Sequence, residues 1–89
     1  MPSRLESAAA EDLLRLALAE PAVAAARANE VAATHDDAWT RSVVAHARGI
    51  ILRDEGRTSE AVRELRSARG LARSSGDPNR LADVRATLG

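Results

Sequence analysis

The sequence predicts an all-α fold of about five helices, arranged as two antiparallel helix hairpins plus one further helix. Apolar residues recur every three or four positions along most of the 89-residue chain, which is the spacing of one face of an α-helix. Proline or glycine interrupts this pattern at Pro21, Gly56 and Gly76. The connections between the helical segments are short, so consecutive helices are expected to pack antiparallel.

The first helix is predicted to begin near Ser3 and to end at about Ala19. Ser3 and Glu6 have the spacing of a capping box, in which each side chain satisfies the other residue's backbone amide, although so short a pattern also occurs by chance. Proline fits the first turn of a helix but not its interior. A second, alanine-rich helix is therefore predicted from Pro21 to about Thr34.

The central hairpin covers the stretch from Ala38 to Gly76. Its first helix is predicted from Asp37 to about Asp54, with Asp36 or Asp37 as the N-cap. The broad apolar face of this helix is formed by Trp39, Val43, Ala47, Ile50 and Ile51. Gly56 provides the permissive backbone that a helix end prefers. The second helix is predicted to begin at Thr58 or Ser59, either of which is a suitable cap. Its apolar face is formed by Ala61, Val62, Leu65, Ala68, Leu71 and Ala72.

The strongest local boundary comes next, where Gly76 ends a helix, Asp77 caps the following one and Pro78 occupies its first position. This last helix carries Leu81, Val84 and Leu88 on one face. A shift of 40 residues places Asp37 on Asp77, Val44 on Val84 and Gly49 on Gly89, which indicates an internal repeat. We therefore expect one helical-repeat domain over residues 1–89, with repeat-like pairs at about 3–35 and 37–75 and a further helix at 77–89. Because the third pair is unfinished, the chain is expected to be part of a longer array; the alternative is a last helix that acts as the solvating cap of the array.

The central hairpin resembles the tetratricopeptide repeat, a helix-turn-helix unit of about 34 residues. The resemblance rests on the family's small, turn and large apolar positions, which are occupied here by Gly49, Leu52, Gly56, Ala61, Leu65 and Ala68. The match is divergent and covers about one repeat, since Arg73, Ala45 and Arg48 stand where the family often has proline, tryptophan and leucine. The segment from Trp39 to Gly89 also resembles the helical arrays of actinobacterial multidomain signalling proteins that carry a caspase-like CHAT domain, and those of some bacterial transcriptional activators.

The tetratricopeptide resemblance implies recognition of another protein. In that family the first helices of successive repeats line a groove that accepts extended peptides or a partner's helix. Mapped onto this chain, the partner-binding groove residues are Val43, His46, Ile50 and Arg53. Arg53 is suited to an acidic group, because its guanidinium donates two parallel hydrogen bonds.

Composition excludes several other classes of function. The formal net charge is zero, so no overall field attracts nucleic acid or a membrane surface. The chain has no cysteine, which excludes disulfides and thiolate chemistry. No apolar run approaches the roughly 20 residues that span a bilayer. The N-terminal residues lack a signal-peptide core, and a cytoplasmic location is expected.

Arg66, Arg69 and Arg73 share one helix face, but nearby glutamates and the single aromatic residue favour a solvated face over a nucleic-acid site.

The candidates for catalysis or metal binding are few. His35, Asp36 and Asp37 are compatible with a metal cluster, but a hydrophilic loop with a helix cap is favoured because no second cluster completes a coordination shell. His46 lies on the central helix and is expected to line the groove or to be partly packed. With no phosphate-binding loop or nucleophile motif, we expect no enzymatic activity, no metal and no cofactor.

Two functional hypotheses remain from the sequence. The first is a non-catalytic protein–protein interaction scaffold, expected to form the N-terminal helical segment of a larger bacterial signalling or effector protein. The second is a self-assembling helical module that completes its core by oligomerisation, because apolar residues of the last helix would otherwise be partly bare.

Overall fold

The computed structural model describes residues 4–89, which form five α-helices and contain no strand. The helices are α1 (Ser7–Ala19), α2 (Pro21–Thr34), α3 (Ala38–Asp54), α4 (Thr58–Ser75) and α5 (Pro78–Leu88). The all-α prediction is confirmed, and so are the predicted C-terminal ends of α1, α2 and α3. The radius of gyration of the Cα atoms is 11.7 Å, close to the value of about 12 Å expected for a compact domain of this length.

Two aspartates cap helices as the sequence predicts. The Asp37 carboxylate accepts a hydrogen bond from the Thr40 amide at the start of α3. Asp77 accepts from the amides of Asn79 and Arg80 at the start of α5. These residues are the pair that the 40-residue shift superimposes, so α3 and α5 begin in the same way. Gly76, before the second cap, has the left-handed conformation that ends α4.

Two predicted caps differ from the structure. Helix α4 begins at Thr58, as predicted, but the cap proposed at Thr58 or Ser59 is wrong: the Ala61 amide donates to the Arg57 carbonyl, so Arg57 occupies the N-cap position. Its side chain forms an ion pair with Glu60 rather than a cap. At the first helix, Ser3 lies outside the described residues. Glu6 is the N-cap of α1 and accepts no capping hydrogen bond with its side chain.

Helices α3 and α4 run in opposite directions. In the central hairpin, the later residue Gly49 of α3 faces Ala61 and Leu65 early in α4, whereas the earlier residue Ala45 clusters with Ala68 and Ala72 later in α4. Helix α3 contacts all four other helices, while α1 contacts only α2 and α3. Helix α3 therefore lies at the centre, with α1 and α2 on one side of it and α4 and α5 on the other.

The core is thin and rich in alanine. Nine of the sixteen buried hydrophobic residues in the described part are alanines, so the helices approach closely and each residue buries little area. One cluster joins α1, α2 and α3 around Leu13, Val43 and Ile50. A smaller one joins α3, α4 and α5 around Val84, with Leu71, Leu81 and Leu88 packed at its edge.

Candidate partner-binding cleft

A cleft opens between α1 and α5, which do not contact each other, and Trp39 at the start of α3 lies in it. Its volume is about 350 Å³. The lining residues come from the segment before α1, from three helices and from the α5 cap: Arg4, Ser7, Ala10, Glu11, Leu14, Trp39, Asp77, Asn79, Arg80 and Asp83. These three helices run parallel. Their starts meet at the Leu5–Thr40 and Trp39–Asp77 hydrogen bonds. Further along, Ala17 of α1 lies near Ile50 of α3, and His46 of α3 lies beside Thr87 of α5.

Trp39 is half-buried and is held from two sides. Its indole Nε1 donates a 2.8 Å hydrogen bond to Asp77 Oδ2, which ties the start of α3 to the start of α5. The guanidinium carbon of Arg4 lies 4.1 Å from the centroid of the ring, at a distance typical of a cation–π contact. The Leu5 amide donates to Thr40 Oγ1 at 2.8 Å, which fixes the segment that carries Arg4.

The carboxylate of Asp77 is stabilised in its charged form. The hydrogen bond from Trp39 lowers the pKa of Asp77 below its ordinary value, and the amides of Asn79 and Arg80 and the charge of Arg4 act in the same direction. The rim of the cleft carries two further carboxylates, Glu11 on α1 and Asp83 on α5, both exposed.

Beneath the cleft wall, a buried polar chain joins α3 to α5. Arg80 Nη2 donates to His46 Nδ1, and His46 Nε2 is 2.7 Å from Thr87 Oγ1. Since an arginine can only donate, Nδ1 is the acceptor and the neutral imidazole carries its proton on Nε2. The Thr87 hydroxyl in turn donates to the Asp83 carbonyl at 3.3 Å. The hydrogen bonds of this network therefore all run in one direction: Arg80 donates to His46, His46 donates to Thr87, and Thr87 donates to the Asp83 carbonyl.

This environment disfavours protonation of His46. Burial lowers the pKa of His46 to about 4, and the charges of Arg80 and Arg53 add to the effect. His46 is 3% exposed and both ring nitrogens have hydrogen-bond partners, so the imidazole is not available as a base for a bound substrate. Arg80 is 4% exposed, and its burial lowers the pKa of the guanidinium, partly offset by the charges of Asp83 and Asp77.

The four groove residues named from the sequence lie in different surroundings. Val43 and Ile50 are buried in the cluster of α1, α2 and α3, and His46 is buried against α5. Arg53 is exposed, with its Nη1 3.5 Å from the Thr87 carbonyl. The side chain of Arg53 is therefore the one among these four that a partner can reach, and its role in binding stays a prediction.

The sequence pattern did not identify Trp39, Asp77 and Arg80 as residues of one site. It placed Trp39 on an apolar stripe and Asp77 at a cap. The signal that connects them was present: the shift that aligns Asp37 with Asp77 aligns the starts of two helices that lie side by side. Trp39, two residues after the cap Asp37, then lies close to Asp77, the cap of the neighbouring helix.

The structure also bears on the possible metal site at His35, on the arginine face of α4 and on membrane insertion. No group of three or more histidine or acidic residues within residues 4–89 is arranged to hold a metal ion, and His35 Nδ1 lies 2.9 Å from Thr34 Oγ1. Arg66, Arg69 and Arg73 are exposed on α4. None of the five helices described here has the length and apolar character needed to cross a bilayer.

In comparisons with known proteins, no family model, curated protein or solved structure matches this chain significantly.

Proposed function

We propose that this chain is a non-catalytic interaction scaffold that binds a protein or peptide partner in the cleft between α1 and α5. The observation that carries the proposal is the cleft itself, in which three parallel helices present a half-buried aromatic ring, apolar side chains and charged rim residues. Partner-binding sites commonly combine an aromatic anchor with a polar rim. The tetratricopeptide-like character and the place in a larger bacterial signalling protein rest on the sequence resemblance and belong to the same proposal.

The chemistry of the described residues favours binding over catalysis. The chain has no cysteine, and the histidine nearest the cleft is neutral, buried and hydrogen-bonded at both nitrogens. A nucleophile needs a base within hydrogen-bonding reach that is free to take its proton. The cleft residues offer carboxylates, a guanidinium and an indole, which are groups suited to holding a charged or apolar side chain.

The test is selection of peptides from a random displayed library, followed by affinity measurements on two variants with the same substitution. Ser7 is exposed in the cleft, and Ser74 is exposed on α4 outside it. A tyrosine at position 7 fills part of the cleft, so S7Y is expected to weaken binding of selected peptides by at least roughly ten-fold, the loss typical of a blocked central contact. S74Y is expected to bind like the wild type.

Equal affinities of S7Y and S74Y would show that partners bind elsewhere. A chain that selects no peptide would overturn the scaffold proposal. Circular dichroism of both variants checks that neither substitution unfolds the helices.

Self-assembly is the second candidate, and exposed apolar side chains favour it. Leu18 and Val23, on either side of the α1–α2 connection, are 67% and 47% exposed. At α5, Leu81 and Pro78 line a mainly apolar depression together with Ala72 of α4. A second copy of the chain would remove these groups from water.

A further inference from the structure

Trp39 contacts a guanidinium from its own chain, and this contact indicates what the cleft recognises. Arg4 lies over the ring face at 4.1 Å. Within residues 4–89 no carboxylate lies within ion-pair distance of Arg4, whereas Arg15, Arg27 and Arg57 each have such a partner. The ring face is therefore the main described contact of the Arg4 head group, with the charge of Asp77 as a longer-range attraction.

The ring is held in place by other contacts. The hydrogen bond from Nε1 to Asp77 fixes the edge of the indole. Asp77 is itself fixed by the amides of Asn79 and Arg80 at the start of α5. A ring held in this way presents its face to a cation without having to be ordered on binding, and indole is the best of the aromatic faces for a cation.

The charges around the ring favour a cation as well. Glu11, Asp77 and Asp83 line the cleft, and none of them forms an ion pair among the described residues. The other cation of the lining, Arg80, is buried and donates to His46 beneath the surface. If Arg4 leaves, the accessible charges around the Trp39 face are negative.

We propose that the Trp39 face is a recognition site for a partner's arginine side chain, and that Arg4 occupies this site as an internal competitor until the partner displaces it. This inference rests on the proposed function, because it names the chemistry that the cleft binds. The apolar residues Ala10 and Leu14 line the same cleft and are suited to the methylene stem of an arginine.

The experiment uses the fluorescence of Trp39, the only tryptophan of the chain. The probes are N-acetyl-arginine amide and N-acetyl-citrulline amide, which have the same shape but differ in charge. The arginine probe is expected to change the emission in a saturable way, and the citrulline probe is expected to bind much more weakly. The protein variants are R4Q and, as a matched control, R15Q, which removes an exposed arginine that pairs with Asp12 on α1 outside the cleft.

R4Q is expected to bind the arginine probe roughly three to six times more tightly than the wild type, because an exposed cation–π contact that competes internally has this strength. R15Q is expected to match the wild type. Equal affinity of R4Q and wild type would overturn the role of Arg4 as a competitor. Equal binding of arginine and citrulline would overturn recognition of the cation.

Peptides from the library selection separate this inference from the scaffold proposal. Replacing each arginine of a selected peptide by citrulline is expected to weaken binding to the wild type. If peptides bind in a way that S7Y abolishes but citrulline does not affect, the scaffold proposal stands and the arginine inference fails. If no peptide is selected while the arginine probe binds, the ring face recognises the cation and the scaffold proposal fails.

Discussion

The side chain of His46 shows how one residue links burial to the position of a whole helix. It accepts a hydrogen bond from Arg80 and donates one to Thr87, and both partners belong to α5. A protonated imidazole has no acceptor for Arg80 and places a second positive charge beside it. The neutral form is therefore the one compatible with the docked position of α5.

This arrangement predicts a loss of stability in mild acid. The pKa of His46 is about 4 in the folded chain, against an ordinary value of 6.5. Between these values the unfolded chain binds the proton and the folded chain does not, so the free energy of unfolding falls as the pH is lowered through this range. The stability contributed by neutral His46 is fully present above about pH 6.5, and the loss is on the order of 3 kcal/mol by about pH 4.

Urea denaturation at about pH 6.5 and about pH 4.5 measures this loss. H46Q is the test variant, because a glutamine amide accepts and donates like the neutral imidazole but does not titrate in this range. Its stability is expected to depend less on pH than that of the wild type. H35Q removes the other histidine and is expected to retain the wild-type dependence. If wild type and H46Q have the same pH dependence, His46 is not the group responsible.

At the scale of the helices, Gly49 sets the distance between α3 and α4. A Cβ atom at this position would lie 2.6 Å from Cγ and Cδ2 of Leu65, closer than side chains approach one another. Gly70 lies within α4, where an added Cβ atom would meet no neighbouring group within 4 Å. The two glycines therefore separate the effect of close packing from that of helix propensity.

We expect G70A to stabilise the chain by about 0.5–1 kcal/mol, since alanine is the better helix former. G49A has the same propensity gain, but overpacking costs about 1–3 kcal/mol, so a net loss is expected. Thermal or urea unfolding measures both variants. The double variant G49A/L65A tests the cause: substituting Leu65 should cost less in the G49A background than in the wild type. If G49A were as stabilising as G70A, α3 and α4 would not be held apart by this contact.

Helix positions were predictable because their signals are local. Pro21, Asp37, Gly76 and Asp77 act within one turn of their own position, and the structure confirms each of them. The cap of α4 was not predictable from residue type, because the turn after Gly56 places Arg57 at the N-cap position, ahead of the better capping residues. The residues of the cleft were harder to predict than the caps, because Trp39 and Asp77 are far apart in the chain and meet only through packing.

The prediction that Val43, His46 and Ile50 line a groove also depended on how the helices pack, which the sequence does not show. The periodicity identifies the broad apolar face of α3, but it does not show which part of that face another helix covers. Helices α1 and α2 cover Val43 and Ile50, and α5 covers His46. Of the face of α3, Trp39 at the N-terminal end remains half-exposed in the cleft, and Arg53 near the C-terminal end remains exposed.

At the scale of the whole molecule, the state of association separates the two proposed functions. The folded chain is compact and has a mass of 9.4 kDa, and the large apolar side chains exposed among residues 4–89 are Leu18 and Val23. The scaffold proposal expects a helical monomer at all concentrations, with the cleft open to partners. Self-assembly expects a mass that increases with concentration and a helix signal that decreases on dilution.

Sedimentation and circular dichroism across a concentration series measure both quantities, and L18E shows where any contact lies. Because Leu18 is two-thirds exposed in the folded chain, a glutamate at this position is expected to leave the fold intact and to cost less than about 0.5 kcal/mol. We expect the wild type and L18E to have the same monomeric mass. A wild-type dimer that L18E converts to a monomer would support self-assembly through the α1–α2 end. A dimer that resists L18E but dissociates on adding the selected peptides would place the contact in the cleft itself, because the two ligands would then compete for the same surface.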